Sequence, residues 1–302
     1  MKYFQSSEPQ TCIQTDKSGR EIAHHGSDML PVAVYHSDLS SEVIPWHWHD
    51  EFEFAVVDKG CACLAVNSEK HIVKEGEAFL INSGILHSIT PVPNVPCCFR
   101  SVVFHPRFIG SIDSLFWHKY LQPIIENKNF SSLVLTPHNF AAADTIGSIS
   151  NAFDSLEAAC ECYEFETRRL LSDAVLYLWR QLPAIQTAES SANIRNALRI
   201  KAMLGFIHAN FAYDISTKDI AASANISESE CLRCFHRTIN TTPVQYLKEY
   251  RIQQAAEMLH GSKRKISDIA LCCGFTDMSY FSRSFKAVKG CTPKAYRQDY
   301  DK

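Results

Sequence analysis

The 302-residue sequence predicts an α+β fold in two domains. The first is an antiparallel barrel or jelly roll with trailing helices, and the second is all-α. Three observations predict this. Short runs rich in β-branched and aromatic residues crowd residues 30–104, separated by turn-forming stretches containing Gly, Asn and Glu. From residue 266 to 297 the apolar residues recur instead at three- and four-residue spacing, and the same pattern lies 49 to 50 residues upstream. Charge divides along the same line: residues 1–189 carry 13 Lys plus Arg against 23 Asp plus Glu, a balance of −10, while residues 190–302 carry 17 against 10, or +7. Only the C-terminal part is therefore suited to a polyanion.

Residues 1–29 are polar and irregular and read as an N-terminal arm, with His24-His25-Gly26 as a loop. Residues 30–135 form the strand-built domain. Its expected strands are 30–35, 53–57, 61–66, 72–73, 78–81 and 98–104, with turns at 58–60, 67–70, 74–77 and 82–84. Hairpins spaced so closely favour a barrel or jelly roll. A helical region follows over 136–183, where residues 140–160 and 165–182 carry apolar residues at helical spacing, notably Leu170, Leu171, Val175, Leu178 and Leu182. Two amphipathic helices after the strands suit a role as cover for the sheet. The stretch 184–193, with its Gln, Thr and Ser-Ser, reads as an interdomain linker, and 194–302 as the C-terminal domain.

Within the first domain, His47-x-His49-x-x-x-Glu53 is followed by Gly76-x(5)-Asn82-x-Gly84-x-x-His87. Residues 47, 49 and 53 share strand parity, so regular pairing projects them to one side, where His87 from another strand joins them. Three imidazoles and a carboxylate are a donor set for Zn²⁺, Fe²⁺ or Mn²⁺. The same four residues are suited as well to the polar lining of an effector pocket, or to hydrogen-bonded structure. Both segments resemble the paired motifs of the cupin superfamily, whose enzymes hold a metal with three His and one Glu. Ser41, Asn82 and Pro91 depart from that pattern. Trp46 and Trp48 alternate with the histidines and are expected to face the other way, as packing residues.

In the C-terminal domain Ile266-Ser267-Asp268-Ile269-Ala270 opens a short helix with Ser267 as its expected cap. Gly274 ends it, Phe275 packs into the inter-helix angle, and Thr276 caps a second helix over 277–289. On that second helix Tyr280 or Phe281, Phe285 and Val288 form the buried side. Gly290 closes it and Thr292-Pro293 opens another. The upstream copy carries Ile220-Ala221, Asn225-Ile226-Ser227, Arg233-Cys234-Phe235 and Asn240, an asparagine standing where Gly290 stands in the other. Ser216-x-x-Asp219 and Ser227-x-x-Glu230 have the form of capping boxes. A long helix over 243–259, with Val244, Leu247, Ala255 and Leu259 on one face, would join the two copies.

Ile-x-x-Ile-Ala at 266–270, Gly-Phe at 274–275, Ser-Tyr-Phe-Ser-Arg-x-Phe-Lys at 279–286 and Gly-x-Thr-Pro-x-x-Tyr-Arg at 290–297 closely resemble the DNA-binding domain of AraC/XylS-type transcription regulators. The resemblance implies two helix-turn-helix units whose recognition helices enter adjacent major-groove segments of double-stranded DNA. It also implies a cupin-like sensor domain that binds a small-molecule effector, a homodimer with a contact over 165–182 in the helical region 136–183, contact with RNA polymerase, and an activator. The residues expected to face DNA are Ser229, Glu230, Arg233, His236 and Arg237 on the first recognition helix. On the second they are Thr276, Asp277, Met278, Ser279, Ser282, Arg283 and Lys286. The effector residues are expected to be His47, His49, Glu53 and His87, the same four that form the candidate metal set.

The 12 cysteines show no disulfide framework, and Cys231, Cys272 and Cys273 fall at expected helix-core positions, which fits a reducing cytoplasm. Cys231-x-x-Cys234 lies inside a helix with no second pair at metal-finger spacing, so a structural role is expected. No apolar run approaches membrane-spanning length. Catalysis is not expected; the competing alternatives are a cupin metalloenzyme with an accessory DNA-binding domain and a ligand-independent regulator that uses its cupin domain for dimerisation.

Overall fold

The computed structural model describes residues 13, 15–16, 20–40, 43–67, 69–185 and 191–300. They divide into an N-terminal unit spanning 21–195 and a C-terminal unit spanning 196–302, which also takes Thr15, Asp16 and Arg20.

In the N-terminal unit eight antiparallel strands form a two-sheet jelly roll: β1 (Val32–Asp38), β2 (Ile44–His47), β3 (Phe52–Val66), β4 (Glu69–Lys74), β5 (Ala78–Ile81), β6 (His87–Pro91), β7 (Cys97–Phe104) and β8 (Ser132–Leu135). One sheet runs β1-β7-β3-β5-β8, while the second half of β3 pairs with β4 and β6, and β6 with β2. The described strands do not close into a ring, so the architecture is the jelly roll rather than the barrel. The expected turn at 58–60 is instead the middle of β3. A bulge between Val57 and Lys59 and a positive φ of 75° at Gly60 bend the strand from one sheet into the other. Gly60 is required there, because a Cβ would lie 1.8 Å from the carbonyl oxygen of Pro96. β2, β6 and β8, at four or five residues each, are not among the expected strands.

Both faces of β3 are covered, which explains why residues 52–57 read as a continuous apolar run. Phe52, Phe54 and Val56 face a core shared with α2 (Phe140–Ala158) and α3 (Tyr163–Ile185), and Ala55 and Val57 face a second core with Leu64, Phe79, Ile89 and Phe99. Fully burying each such Phe or Leu is worth about 1.5–3 kcal/mol. A short α1 (Gln122–Ile125) precedes β8. Leu170, Leu171, Val175, Leu178 and Leu182 of α3 all lie in the first core, so the apolar stripe of that helix is used as cover.

Two expected boundaries move. Of the expected arm 1–29, residues 1–12, 14 and 17–19 lie outside the described residues, and 21–29 do not stand off: the Glu21 amide donates to the Trp48 carbonyl at 2.8 Å and His25 is buried. The linker 184–193 is shorter, because α3 continues through Pro183 to Ile185 and α4 (Ser191–Asn210) has begun by 191; residues 186–190 lie outside the described residues.

The C-terminal unit comprises α4, α5 (Thr217–Ser223), α6 (Glu228–Ile239), α7 (Pro243–Gly261), α8 (Ile266–Cys272), α9 (Met278–Lys289) and α10 (Pro293–Tyr300). Ile252, Ala255, Ala256 and Leu259 of α7 pack on Ile269 and Ala270 of α8, on Phe275, and on Phe281 and Phe285 of α9. Gly274, at φ +77°, makes the α8–α9 turn, and a Cβ there would press to within 2.9 Å of the Ala212 carbonyl oxygen and 3.0 Å of the Arg251 guanidinium. Asn225 and Asn240 take the same left-handed region at φ 54° and 57°. The caps differ from expectation at two points. α8 has Lys265 as its N-cap with no side-chain bond, the Ser267 hydroxyl turning to Asp268; α9 is capped by Asp277, which accepts from the Ser279 and Tyr280 amides, and not by Thr276. Both amides meet the same Asp277 oxygen, Oδ1, at 2.7 and 2.9 Å. Val244, Val288 and Cys272 are exposed, contrary to their expected core placement, since the buried arcs of these helices are narrower than the apolar pattern, and of Tyr280 and Phe281 it is Phe281 that is buried.

Candidate functional site

Two sets of residues stand ready for recognition. On α6, Ser229, Arg233, His236 and Arg237 are exposed, while Glu230 is half-buried. Ser227 caps the helix by accepting from the Glu230 amide at 3.3 Å, but the reciprocal half of the capping box is missing. The Glu230 carboxylate instead accepts from Arg199 of α4 at 3.2 Å and pairs with Arg233. Ser216 and Asp219 form both halves of theirs. On and before α9, Thr276, Asp277, Met278, Ser279, Arg283 and Lys286 are exposed and Ser282 is half-buried. Tyr280 stands where Glu230 stands in the first unit, so the second helix offers Arg283 without an adjoining glutamate. Leu232 and Tyr280 are also exposed on the two helices. Each follows from its helical position relative to the buried phenylalanines, Phe235 and Phe281.

The second set is the histidine cluster. His47 comes from β2, His49 from the following turn, Glu53 from β3 and His87 from the start of β6. They do not share one strand, so parity was the wrong reason, yet the fold brings all four together. One ligand atom from each lies within 4.8 Å of the others, and all four residues are buried. Each imidazole has Nδ1 at a backbone carbonyl: His47 to Pro45 at 2.8 Å, His49 to Glu51 at 3.2 Å, and His87 to Ile85 at 2.8 Å. With Nδ1–H donating outward, the Nε2 atoms point at Glu53, whose Oε2 lies 3.1 Å from His87 and 3.6 Å from His49. Trp46 and Trp48 are half-buried, alternating with the buried histidines. Asn82, a departure from the cupin pattern, ties the β5 end to the segment before β8, because its amide donates to the Ile124 and Phe130 carbonyls at 2.9 and 3.0 Å.

The segment read as an arm contributes two more buried groups. Glu21 Oε2 lies 3.4 Å from His25 Nε2 and 3.7 Å from His47 Nε2, and the other nitrogen of His25 meets the Tyr35 hydroxyl at 2.8 Å. Burial alone would push the Glu21 carboxyl up, but the hydrogen bond from His25 and the charge of His47 bring it down to about 2. Burial, then the neighbouring His87, depresses His47 to about 3. Glu53 is also buried, yet hydrogen bonds with His49 and His87 hold it well below the usual carboxylate range. His24-His25-Gly26 gave only a loop signal; nothing in its spacing pointed to the cluster.

Inward lone pairs on three imidazoles around a carboxylate fit a divalent transition ion, which would bind His47, His49, Glu53 and His87 and supply Lewis acidity or a bridge to an oxygen ligand. The same unit has a separate concavity of about 770 Å³, lined by residues including Met29, Phe108, Ile112, Trp117, Phe165, Arg107 and Arg168 and by none of these four.

Residues 30–165 match the AraC-like ligand binding domain family, and residues 220–299 match a helix-turn-helix domain family. The chain belongs to the AraC-type regulators. It is 29% identical over 288 residues to the uncharacterized HTH-type transcriptional regulator YdeC of Bacillus subtilis, covering 94% of this chain and 97% of that protein. It is 24% identical to the transcriptional activator RhaS of Klebsiella pneumoniae, covering 87% and 91%. Among solved structures, ToxT from Vibrio cholerae O395 aligns at 15% identity and a TM-score of 0.45 over 88% of this chain and 96% of that one. This AraC-type regulator is thus a DNA-binding transcription regulator with an N-terminal ligand-binding domain. Among the described residues no helix is long and apolar enough to cross a membrane.

Proposed function

We propose that this AraC-type regulator is a cytoplasmic activator that reads double-stranded DNA through α6 and α9 and answers a small effector at His47, His49, Glu53 and His87. The observation that carries the effector role is the convergence of four buried donors within 4.8 Å in a domain of the ligand-binding type. Buried titratable groups gathered at one point, with strongly shifted His47 and Glu53, support a binding role. Activation is supported by the RhaS and RhaR relatives, which are activators by name. Family membership supports a homodimer and contact with RNA polymerase. Binding would shift the balance between states that differ in DNA affinity. Catalysis has no part in this reading.

Mapping the genomic sites that the protein occupies, then fusing a reporter to a neighbouring promoter, tests it. Expression is expected to rise with one supplied metabolite or metal salt. A reporter indifferent to every supplement, or repressed by the protein throughout, contradicts the proposal.

A further inference from the structure

The four donors of the histidine cluster are not its only buried acceptors of positive charge. Glu21 and His25 reach it from the segment before β1, and their side chains are 2% and 1% exposed. That segment is fixed to the jelly roll beside the cluster, because the Glu21 amide donates to the carbonyl of Trp48, the residue between His47 and His49. Around the cluster, then, stand two carboxylates, Glu21 and Glu53, and the inward Nε2 atoms of His47, His49 and His87. All five are electron-pair donors. A divalent cation among three neutral imidazoles is left with two positive charges, and two carboxylates neutralise both, which removes most of the cost of burying the ion. Atoms bound to one transition ion at about 2.1 Å lie roughly 3–4 Å apart. The 3.7 Å from Glu21 Oε2 to His47 Nε2 is of that size.

From this geometry we infer that Glu21 is the second anionic donor of a divalent transition-ion site formed with His47, His49, Glu53 and His87, and that His25 holds its carboxylate in place. The inference rests on the effector role proposed for the cluster and names the class of its occupant. His25 is suited to positioning, since one ring nitrogen faces Glu21 and the other is fixed by Tyr35. It also gives residues 21–30 a reason to be ordered: ion binding would tie this segment to β2, β3 and β6 through one carboxylate.

The test uses the full chain, stripped with a chelator and titrated with Zn²⁺ by calorimetry. Wild type is expected to bind one equivalent, Glu21→Gln to bind at least tenfold more weakly, and Glu21→Asp to recover part of the loss. Thermal unfolding with and without Zn²⁺ separates a ligand role from a structural one, because the ion should raise the melting temperature of wild type more than that of Glu21→Gln, whatever the two stripped proteins melt at. Co²⁺ gives a second readout: visible bands stronger in Glu21→Gln than in wild type indicate a lower coordination number. If wild type binds one equivalent and Glu21→Gln matches its affinity within threefold, Glu21 is not a donor and the four-residue site stands without it. If wild type takes up neither ion, the inference and the metal site fall together, while an organic effector at the cluster stays open to the reporter assay.

Discussion

Arg199 of α4 donates to the Glu230 carboxylate of α6 at 3.2 Å, and the same carboxylate pairs with Arg233 one turn along its own helix. An acid at the start of a recognition helix thus restrains two cations on the most basic part of the chain. Glu230→Ala should release both. DNA affinity is expected to rise for all sequences, with the salt slope steeper by about 1 and weaker discrimination among operators. Fluorescence anisotropy across a salt series measures this, and an unchanged slope would mean that Arg233 is already on a phosphate despite its partner.

A fragment covering 190–302 should fold and bind DNA alone, because its second helix-turn-helix has its own core of α7, α8 and α9 residues and its charge is +7. Phe281 and Phe285 lie at the centre of that core, so Phe281→Ala should cost the fragment about 3–5 kcal/mol in urea unfolding. A folded fragment with no affinity for DNA at low salt would separate the charge from its assumed purpose.

The α9 cap gives a pH-dependent prediction. Hydrogen bonds from the Tyr280 and Ser279 amides hold the Asp277 carboxyl below its ordinary 3.8. A group depressed in the folded state stabilises above its unfolded value, and that contribution is lost as pH falls through the folded one. Asp277→Ala should therefore lower the melting temperature near neutrality and converge on wild type as the pH drops below 3.8, whereas Thr276→Ala should melt like wild type throughout. Equal losses from both substitutions would return the cap to Thr276.

The recognition helices were legible because each feature that defines them is local. A left-handed Gly274 or Asn240 and the helical spacing of Phe281 and Phe285 are set within a few residues. Caps were less legible, since Thr276 and Asp277 are both competent and only the backbone geometry chooses. His47, His49, Glu53 and His87 were found through their spacing, although strand parity misplaced His49 in a strand. Glu21 and His25 were invisible, because the contact that matters joins them to a chain segment more than twenty residues away and neither has a periodic neighbour. Gly60 misled for a related reason: a positive φ serves a bulge as well as a hairpin, and only the pairing with β7 decides between them.

Replacing His47, His49 and His87 by Ala in the full chain should abolish the response to effector in a reporter assay while leaving effector-free operator affinity within about twofold, an effect below 0.5 kcal/mol. The three side chains lie wholly in the N-terminal unit, and their Nε2 atoms face Glu53 and Glu21. Removing them takes His49 and His87 from the buried Glu53 carboxylate and leaves Glu21 with His25, so a thermal melt must accompany the assay. Loss of the fold would assign the cluster to structure, and an intact response would remove it from the effector site.

The two recognition helices should contribute unequally. Arg233 is held by Glu230, whereas Tyr280 replaces that acid beside Arg283, so Arg283 meets DNA without first giving up an ion pair to a helix neighbour. Lys286 lies one turn further along α9 and is exposed, in the position from which a long, singly charged side chain reaches a phosphate. If Arg283 reads a guanine edge, Arg283→Ala should cost about 1–3 kcal/mol on the preferred site and little on unrelated DNA, and Arg233→Ala less, because Arg233 must first give up its pair with Glu230 to reach the DNA. Lys286→Ala should weaken every sequence alike and reduce the salt slope by about 1. Site selection from random DNA followed by titration of the winners separates these roles. A changed consensus for Lys286→Ala, or an unchanged one for Arg283→Ala, would show that base reading and phosphate anchoring have been assigned to the wrong side chains.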